Sequence, residues 1–233
     1  MGESRRKSAT GKKNSTPLVV GGIVAAIVVA FVIAMVAGGD SDTPGDSTVT
    51  TSSNSNDGST APGTAGENQP VEVVGQILNP LPDSGADLSL GADAPTLNGF
   101  AFDGTPLSIT PGDGKDYMVV FLAHWCPHCN AEVPRLIEWK ASGDIPEGLN
   151  IIAVSTAVAS DRPNYPPSQW VVDKGWPWPV MADSAEMAAA EAYGVSGFPF
   201  FAIVGGDGKV KLRASGELEI SELTTMVNDA LAG

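Results

Sequence analysis

The chain has 233 residues, 42% of them hydrophobic and 17% charged, a globular balance that excludes a wholly disordered protein. Thirteen Lys+Arg against 27 Asp+Glu leave a net charge of −14, which argues against nucleic acid as a partner, because phosphate binding needs a basic surface. Two cysteines allow at most one bridge, and two histidines leave little material for a multi-ligand zinc site.

The charge is segregated. Arg5, Arg6, Lys7, Lys12 and Lys13 crowd residues 1–17, opposed only by Glu3. Residues 18–38 carry no charge, and such a run spans about 30 Å as a helix, the thickness of a bilayer core. The basic cluster before it keeps residues 1–17 in the cytoplasm as a tail and exports the remainder. A cleaved signal peptide is the rival reading, but its apolar region is normally about 7–15 residues, and Met35-Val36-Ala37-Gly38-Gly39 is a poor cleavage site. The expectation is a single-pass anchor in the cell membrane. No cysteine borders it, so a lipoprotein anchor is excluded. Residues 39–70 are Ser, Thr, Asn, Asp, Gly and Pro almost throughout, too polar to offset chain entropy, and read as a disordered tether with a reach of roughly 30 Å. Residues 71–233 then form one acidic extracytoplasmic domain, long enough for a sizeable core.

Within that domain, Leu97–Phe102 and Leu107–Ile109 flank Asp103-Gly104, a hairpin signal. Tyr117–Ala123 is an unbroken apolar run of strand length, as for a strand buried on both faces. Cys126–Lys140 follows with Val133, Leu136, Ile137 and Trp139 at helical spacing, and Leu149–Val154 is a second buried strand. Pro167–Lys174 reads as a short helix. Ser184–Tyr193, with Asp183 or Ser184 in front and Gly194 behind, reads as a well-capped one. Phe198–Val204 and Val210–Ala214 flank a second turn, Gly205-Gly206-Asp207-Gly208, and Ser221–Ala232 closes the chain as a helix. Strands alternating with helices, then an antiparallel pair, predict an α/β mixed sheet flanked by helices on both faces.

Cys126-Pro127-His128-Cys129 falls where the buried strand turns into a helix. Positions i and i+3 of a first turn share a face with Cβ atoms about 5–6 Å apart, close to disulfide geometry. A cysteine there meets unpaired N–H groups and the positive dipole end, which stabilise a thiolate. Pro127 suits a first-turn position, and a protonated His128 adds positive charge near the sulfur. A c-type haem site needs His after the second cysteine, where Asn130 stands. A zinc site needs a second ligand pair, and only His124 and His128 are at hand. An inert disulfide would close too small a loop to stabilise much. A redox-active pair is the favoured reading.

Val120-Phe121-Leu122-Ala123-His124-Trp125-Cys126-Pro127-His128-Cys129 resembles the active-site strand and helix of thioredoxin-fold proteins. Pro134 falls where that family kinks its active-site helix, and Gly194–Pro199 resembles the segment ending in its cis-proline. The front hairpin, the insertion over 160–181 and the membrane anchor are similar to the TlpA/ResA/DsbE branch, while the CPHC motif is similar to that of DsbA. The resemblance implies a thioredoxin-like domain whose Cys126 is the exposed nucleophile and Cys129 the resolving thiol. It also implies that Pro199 is cis against the sulfurs, that the Phe198 backbone pairs with a bound peptide, and that Trp125 shields the site. No cofactor beyond a redox-active Cys126–Cys129 disulfide is expected.

Two departures stand out. Val120 occupies the place where thioredoxins keep a buried acid, so no proton acceptor for Cys129 is evident. Phe198 precedes the proline where many relatives carry Thr or Val. His124 reads as a solvated loop residue, and the cluster of Trp170, Trp176 and Trp178 with Pro163, Pro166, Pro167, Pro177 and Pro179 reads as packing. The expected function is a membrane-anchored, extracytoplasmic thiol-disulfide oxidoreductase that exchanges disulfides with exported proteins and is reset by a membrane redox partner. His128 leans it toward oxidation. The TlpA/ResA scaffold instead suggests a reductase serving cytochrome c maturation or other exported thiols. A non-catalytic binding module is a further class. Peroxide reduction is weaker still, since Ala123 stands where such enzymes carry Thr three residues before the attacking cysteine.

Overall fold

The computed structural model describes residues 64–233. The expected basic tail, the anchor at 18–38 and most of the tether lie outside them. Among the described residues no helix is long and apolar enough to cross a membrane.

The central strand β4 (Tyr117–Leu122) is buried at all six positions, and its alternating side chains feed two separate cores. Tyr117, Val119 and Phe121 point to one face, and Met118, Val120 and Leu122 to the other. On one flank β4 pairs in parallel with β5 (Asn150–Ser155), which pairs in parallel with the short β6 (Val180–Ala182). On the other flank it pairs antiparallel with β7 (Phe200–Val204), which joins β8 (Val210–Ser215) through the expected glycine-rich turn. Beyond β6 the sheet continues through β2 (Thr96–Phe100), paired antiparallel with both β1 (Glu72–Val74) and β3 (Pro106–Ile109). The order is β1-β2-β6-β5-β4-β7-β8, with β3 beside β2.

Helix α1 (Pro127–Ser142) lays Cys129, Val133, Leu136 and Trp139 on the Met118–Val120–Leu122 face. Trp170 of α2 (Pro167–Asp173) and Leu223 and Val227 of α4 (Ile220–Ala232) complete that core. The opposite face is covered by α3 (Ala188–Ala192), Tyr193 and Leu78.

Three local expectations need correction. The helix expected from Ser184 starts only at Ala188, after Met187 in a left-handed conformation. The cap is supplied from a distance, because the buried Asp183 carboxylate accepts the N–H groups of Ala189 (2.9 Å) and Ala190 (3.2 Å). The last part of the expected tether lies against the domain: the Gly66 and Gln69 N–H groups bond the Phe102 and Asp183 carbonyls, and Ser168 donates to Glu67. The third difference is β1, which three residues of weak pattern did not signal.

The segment between β1 and β2 is locked by one buried ion pair. The Arg213 guanidinium on β8 donates to both Asp87 oxygens and to the carbonyls of Asn79 (2.7 Å) and Tyr193 (2.9 Å). Gly194 passes beside it at φ +65°, where a Cβ would collide with the Asn79 carbonyl and the guanidinium. Burial works against the Asp87 charge, but the Arg213 and Ser89 hydrogen bonds hold its carboxyl below the usual range. Such a group stabilises the fold above its unfolded pKa, and that contribution disappears as the pH falls through its native pKa. Asp87→Asn is therefore expected to cost about 3 kcal/mol at neutral pH, because it strands a buried guanidinium. In urea titrations the gap between parent and variant should narrow below about pH 4.

Candidate active site

Cys126 is the N-cap of α1 (φ −72°, ψ 123°), with Pro127 at the first helical position and Cys129 in the first turn. Both are free thiols. The Cys126 Sγ donates to the Phe198 carbonyl at 3.5 Å, and the Phe198–Pro199 peptide is cis. The α1 N-terminus and the loop before β7 thus meet at the sulfur. Cys126 was expected to be exposed but is only 6% accessible, and Cys129 is fully buried. Burial pushes the Cys129 thiol far above its ordinary range, outweighing a hydrogen bond with the Ala123 backbone; the neighbouring Cys126 and Glu132 raise it further. Pro127 and His128 face solvent.

Trp125 stacks edge-on against Phe198 at 6.3 Å, donates its indole N–H to the Ala157 carbonyl (2.7 Å), and carries the Arg162 guanidinium over its ring at 5.6 Å. It packs among the residues that surround both cysteines.

A buried acid, absent at Val120, is found on the helix instead. Glu132, three residues beyond Cys129, is fully buried. Its Oε2 accepts the Leu218 N–H (3.2 Å) and approaches Arg135 at 3.4 Å, while its Oε1 has no hydrogen-bond partner. Burial pushes this carboxyl above its ordinary range despite those two donors. A carboxylate on the apolar face shared by Cys129, Val133 and Leu136 was the available sequence signal.

His124 is not the solvated loop residue expected. It is fully buried: Nδ1 lies 2.8 Å from the Pro163 carbonyl, and Nε2 accepts the Ala159 N–H at 3.2 Å. Those partners assign a neutral imidazole with its proton on Nδ1. Asn130, which drew no attention beyond excluding haem, donates to the carbonyls of His124 and Cys126 (3.0 Å each) and accepts the Trp170 indole N–H (3.0 Å). The insertion is thus fastened to the cysteine loop through Trp125, His124 and Asn130. Trp170 is buried, and Trp176 and Trp178 stack at 4.9 Å against the same core.

His128 turns outward onto Glu217, its Nδ1 2.7 Å from Oε1, with two-thirds of its side chain exposed. A groove of about 250 Å³ runs beside the cis peptide, lined by Met187, Ala190, Glu191, Val195 and Phe198.

The Redoxin family profile matches residues 86–229, which encompass every one of these groups. The chain belongs to the Redoxin family. It is 29% identical over 121 residues to the thiol:disulfide interchange protein HelX of Rhodobacter capsulatus, covering 52% of this chain and 64% of that protein. It is 27% identical over 120 residues to probable nucleoredoxin 1 of Arabidopsis thaliana, covering 51% of this chain and 20% of that protein. The match therefore spans just under two thirds of one relative and a fifth of the other. A putative thiol:disulfide interchange protein DsbE from Chlorobium tepidum superposes with a TM-score of 0.51 at 21% identity, covering 61% of this chain and 98% of that one. The fold is thioredoxin-like, a mixed sheet with flanking helices.

Because Glu132 holds its proton more tightly in the native state than in the unfolded chain, its contribution to stability declines as the pH rises through its native pKa. Glu132→Gln removes that decline. Chemical denaturation at pH 5 and pH 9 should show the variant gaining on the parent at the higher pH, and a constant difference would remove the buried acid from the account.

Proposed function

We propose that this Redoxin-family chain is a thiol-disulfide oxidoreductase that exchanges bonds with exported proteins outside the cell membrane, using Cys126 and Cys129. One observation carries the reading: Cys126 caps a helix beside a cis-proline loop, over a buried partner thiol that has its own buried carboxylate. A helix N-terminus favours a thiolate at Cys126, and burial keeps Cys129 protonated until it is needed.

In the oxidising direction a client thiolate attacks Cys126 Sγ of the Cys126–Cys129 disulfide. The S–S bond breaks, its electron pair leaves on Cys129, and a mixed disulfide joins client and Cys126. The Cys129 thiolate, formed in an apolar site, takes a proton from Glu132, whose raised pKa suits it as donor. A second client thiolate then attacks the client sulfur and expels Cys126. The client loses two electrons and the cysteine pair gains them. The reducing direction is the reverse, with Glu132 accepting the Cys129 proton. The exchange needs only the two sulfurs and no further cofactor.

The Phe198 backbone and the adjoining apolar groove offer the client an extended pairing site and a place for one apolar side chain, and Trp125 limits access from the opposite side. The extracytoplasmic setting rests on the basic tail and the apolar span at 18–38, and on the persistence of disulfides in oxidising compartments. His128 beside the nucleophile supports the oxidising direction. The ion pair that occupies His128 is the observation favouring a second reading, a reductase of exported thiols. In either case a membrane redox partner resets the pair.

Cys126→Ser is expected to abolish turnover with a disulfide-containing or dithiol client. Cys129→Ser should accumulate mixed disulfides on Cys126, seen as bands that collapse on reduction. Turnover by Cys126→Ser would refute the mechanism, and full biological function in the double variant would favour the binding module.

A further inference from the structure

The loop between β8 and α4 touches three parts of the site with three consecutive residues. The Gly216 N–H donates to the Pro199 carbonyl (2.8 Å), Glu217 meets His128, and the Leu218 N–H donates to Glu132 (3.2 Å). Both Glu217 oxygens are engaged, Oε1 with His128 Nδ1 at 2.7 Å and Oε2 with Arg135 Nη1 at 2.9 Å. Arg135 also reaches Glu132 (3.4 Å) and, through Nη2, Glu219 (3.6 Å). A chain of polar contacts, His128–Glu217–Arg135–Glu132, therefore runs from one of the two residues between the cysteines to the buried acid one turn beyond Cys129.

We propose that Glu217 is a positioning residue that sets the redox potential of the cysteine pair by fixing and neutralising His128, so that the CPHC loop is less oxidising than its histidine alone would make it. This rests on the thiol-disulfide reading above. A lone imidazolium stabilises a nearby thiolate through a field that falls off slowly, whereas an ion pair presents a dipole whose field falls off faster. The groups facing His128 and its partner are Glu217 and Glu219 from the loop and Arg135 and Glu132 from α1. When His128 is protonated, its charge faces Glu217 directly, and Arg135 faces Glu217, Glu219 and the buried Glu132 carboxyl, so the positive charge is paired rather than left for Cys126. Because Gly216 is anchored to the cis-proline carbonyl, Glu217 has little freedom to release the histidine.

The test is equilibration of the full-length chain, Glu217→Gln, His128→Ser and the double variant with glutathione mixtures, together with the pH dependence of Cys126 alkylation. Glu217→Gln is expected to move the equilibrium about tenfold toward the dithiol, equivalent to about +30 mV for two electrons, and to shift Cys126 alkylation to lower pH. In the His128→Ser background the same change should move the equilibrium less than twofold. Glu217→Asp, which keeps the charge, should stay near the parent. An unmoved or reversed equilibrium in Glu217→Gln, or an equal shift without His128, would overturn the proposal while leaving exchange by the parent chain intact. Failure of the parent chain to exchange with glutathione would overturn both the functional reading and this inference.

Discussion

The burial of β4 on both faces is the constraint on which the site depends. Its six side chains are shared alternately between two cores, so a slip of one residue would exchange every contact between them. With β5 and β7 hydrogen-bonded on either flank, the chain leaves the sheet at one point and in one direction. That exit delivers Cys126 to the N-cap of α1. It also makes Cys129 a core residue, since the first turn of the helix must lie back on the sheet. One cysteine at the boundary and one inside is thus a packing result before it is a chemical one.

Chemistry follows from that asymmetry. Burial raises the proton affinity of Cys129 and of Glu132 together, one turn apart on the same apolar face of α1. The outer thiol instead sits at the N-terminus of α1 and donates to the Phe198 carbonyl, while His128, two residues on, turns outward onto a carboxylate. The insertion contributes rigidity, because Asn130, His124 and Trp125 each tie the cysteine loop to residues 157–170. Fastened in this way, the loop is held against the cis-proline segment at Cys126.

Much of this was legible in the chain because local pattern and tertiary outcome agree. Tyr117–Leu122 is apolar throughout because it is central, and the Asp103-Gly104 and Gly205–Gly208 turns mark hairpins because only such residues close them tightly. The CPHC motif was visible as a motif. The cis form of the Phe198–Pro199 bond was accessible through the family resemblance alone. What stayed hidden depends on partners distant in sequence. Asn130 and Trp170 are 40 residues apart, Glu217 is 89 from His128, and Arg213 is 126 from Asp87. His124 was misplaced because its burial comes from an insertion whose path no periodicity reveals. The helix before Tyr193 is shorter than its pattern suggests because Asp183 caps it from six and seven residues away. Glu132, by contrast, is legible, since a carboxylate between Cys129 and Val133 on an apolar helix face calls for a role.

A redox site at Cys126 and Cys129 requires that the two sulfurs interconvert between dithiol and disulfide at a defined potential. Equilibrating the full-length chain across glutathione mixtures and counting alkylated cysteines by mass should show one two-electron transition linking Cys126 to Cys129, at a potential above about −200 mV. A chain in which both thiols stay alkylatable at every ratio would contradict the redox site itself, and a transition near about −270 mV would contradict its oxidising direction.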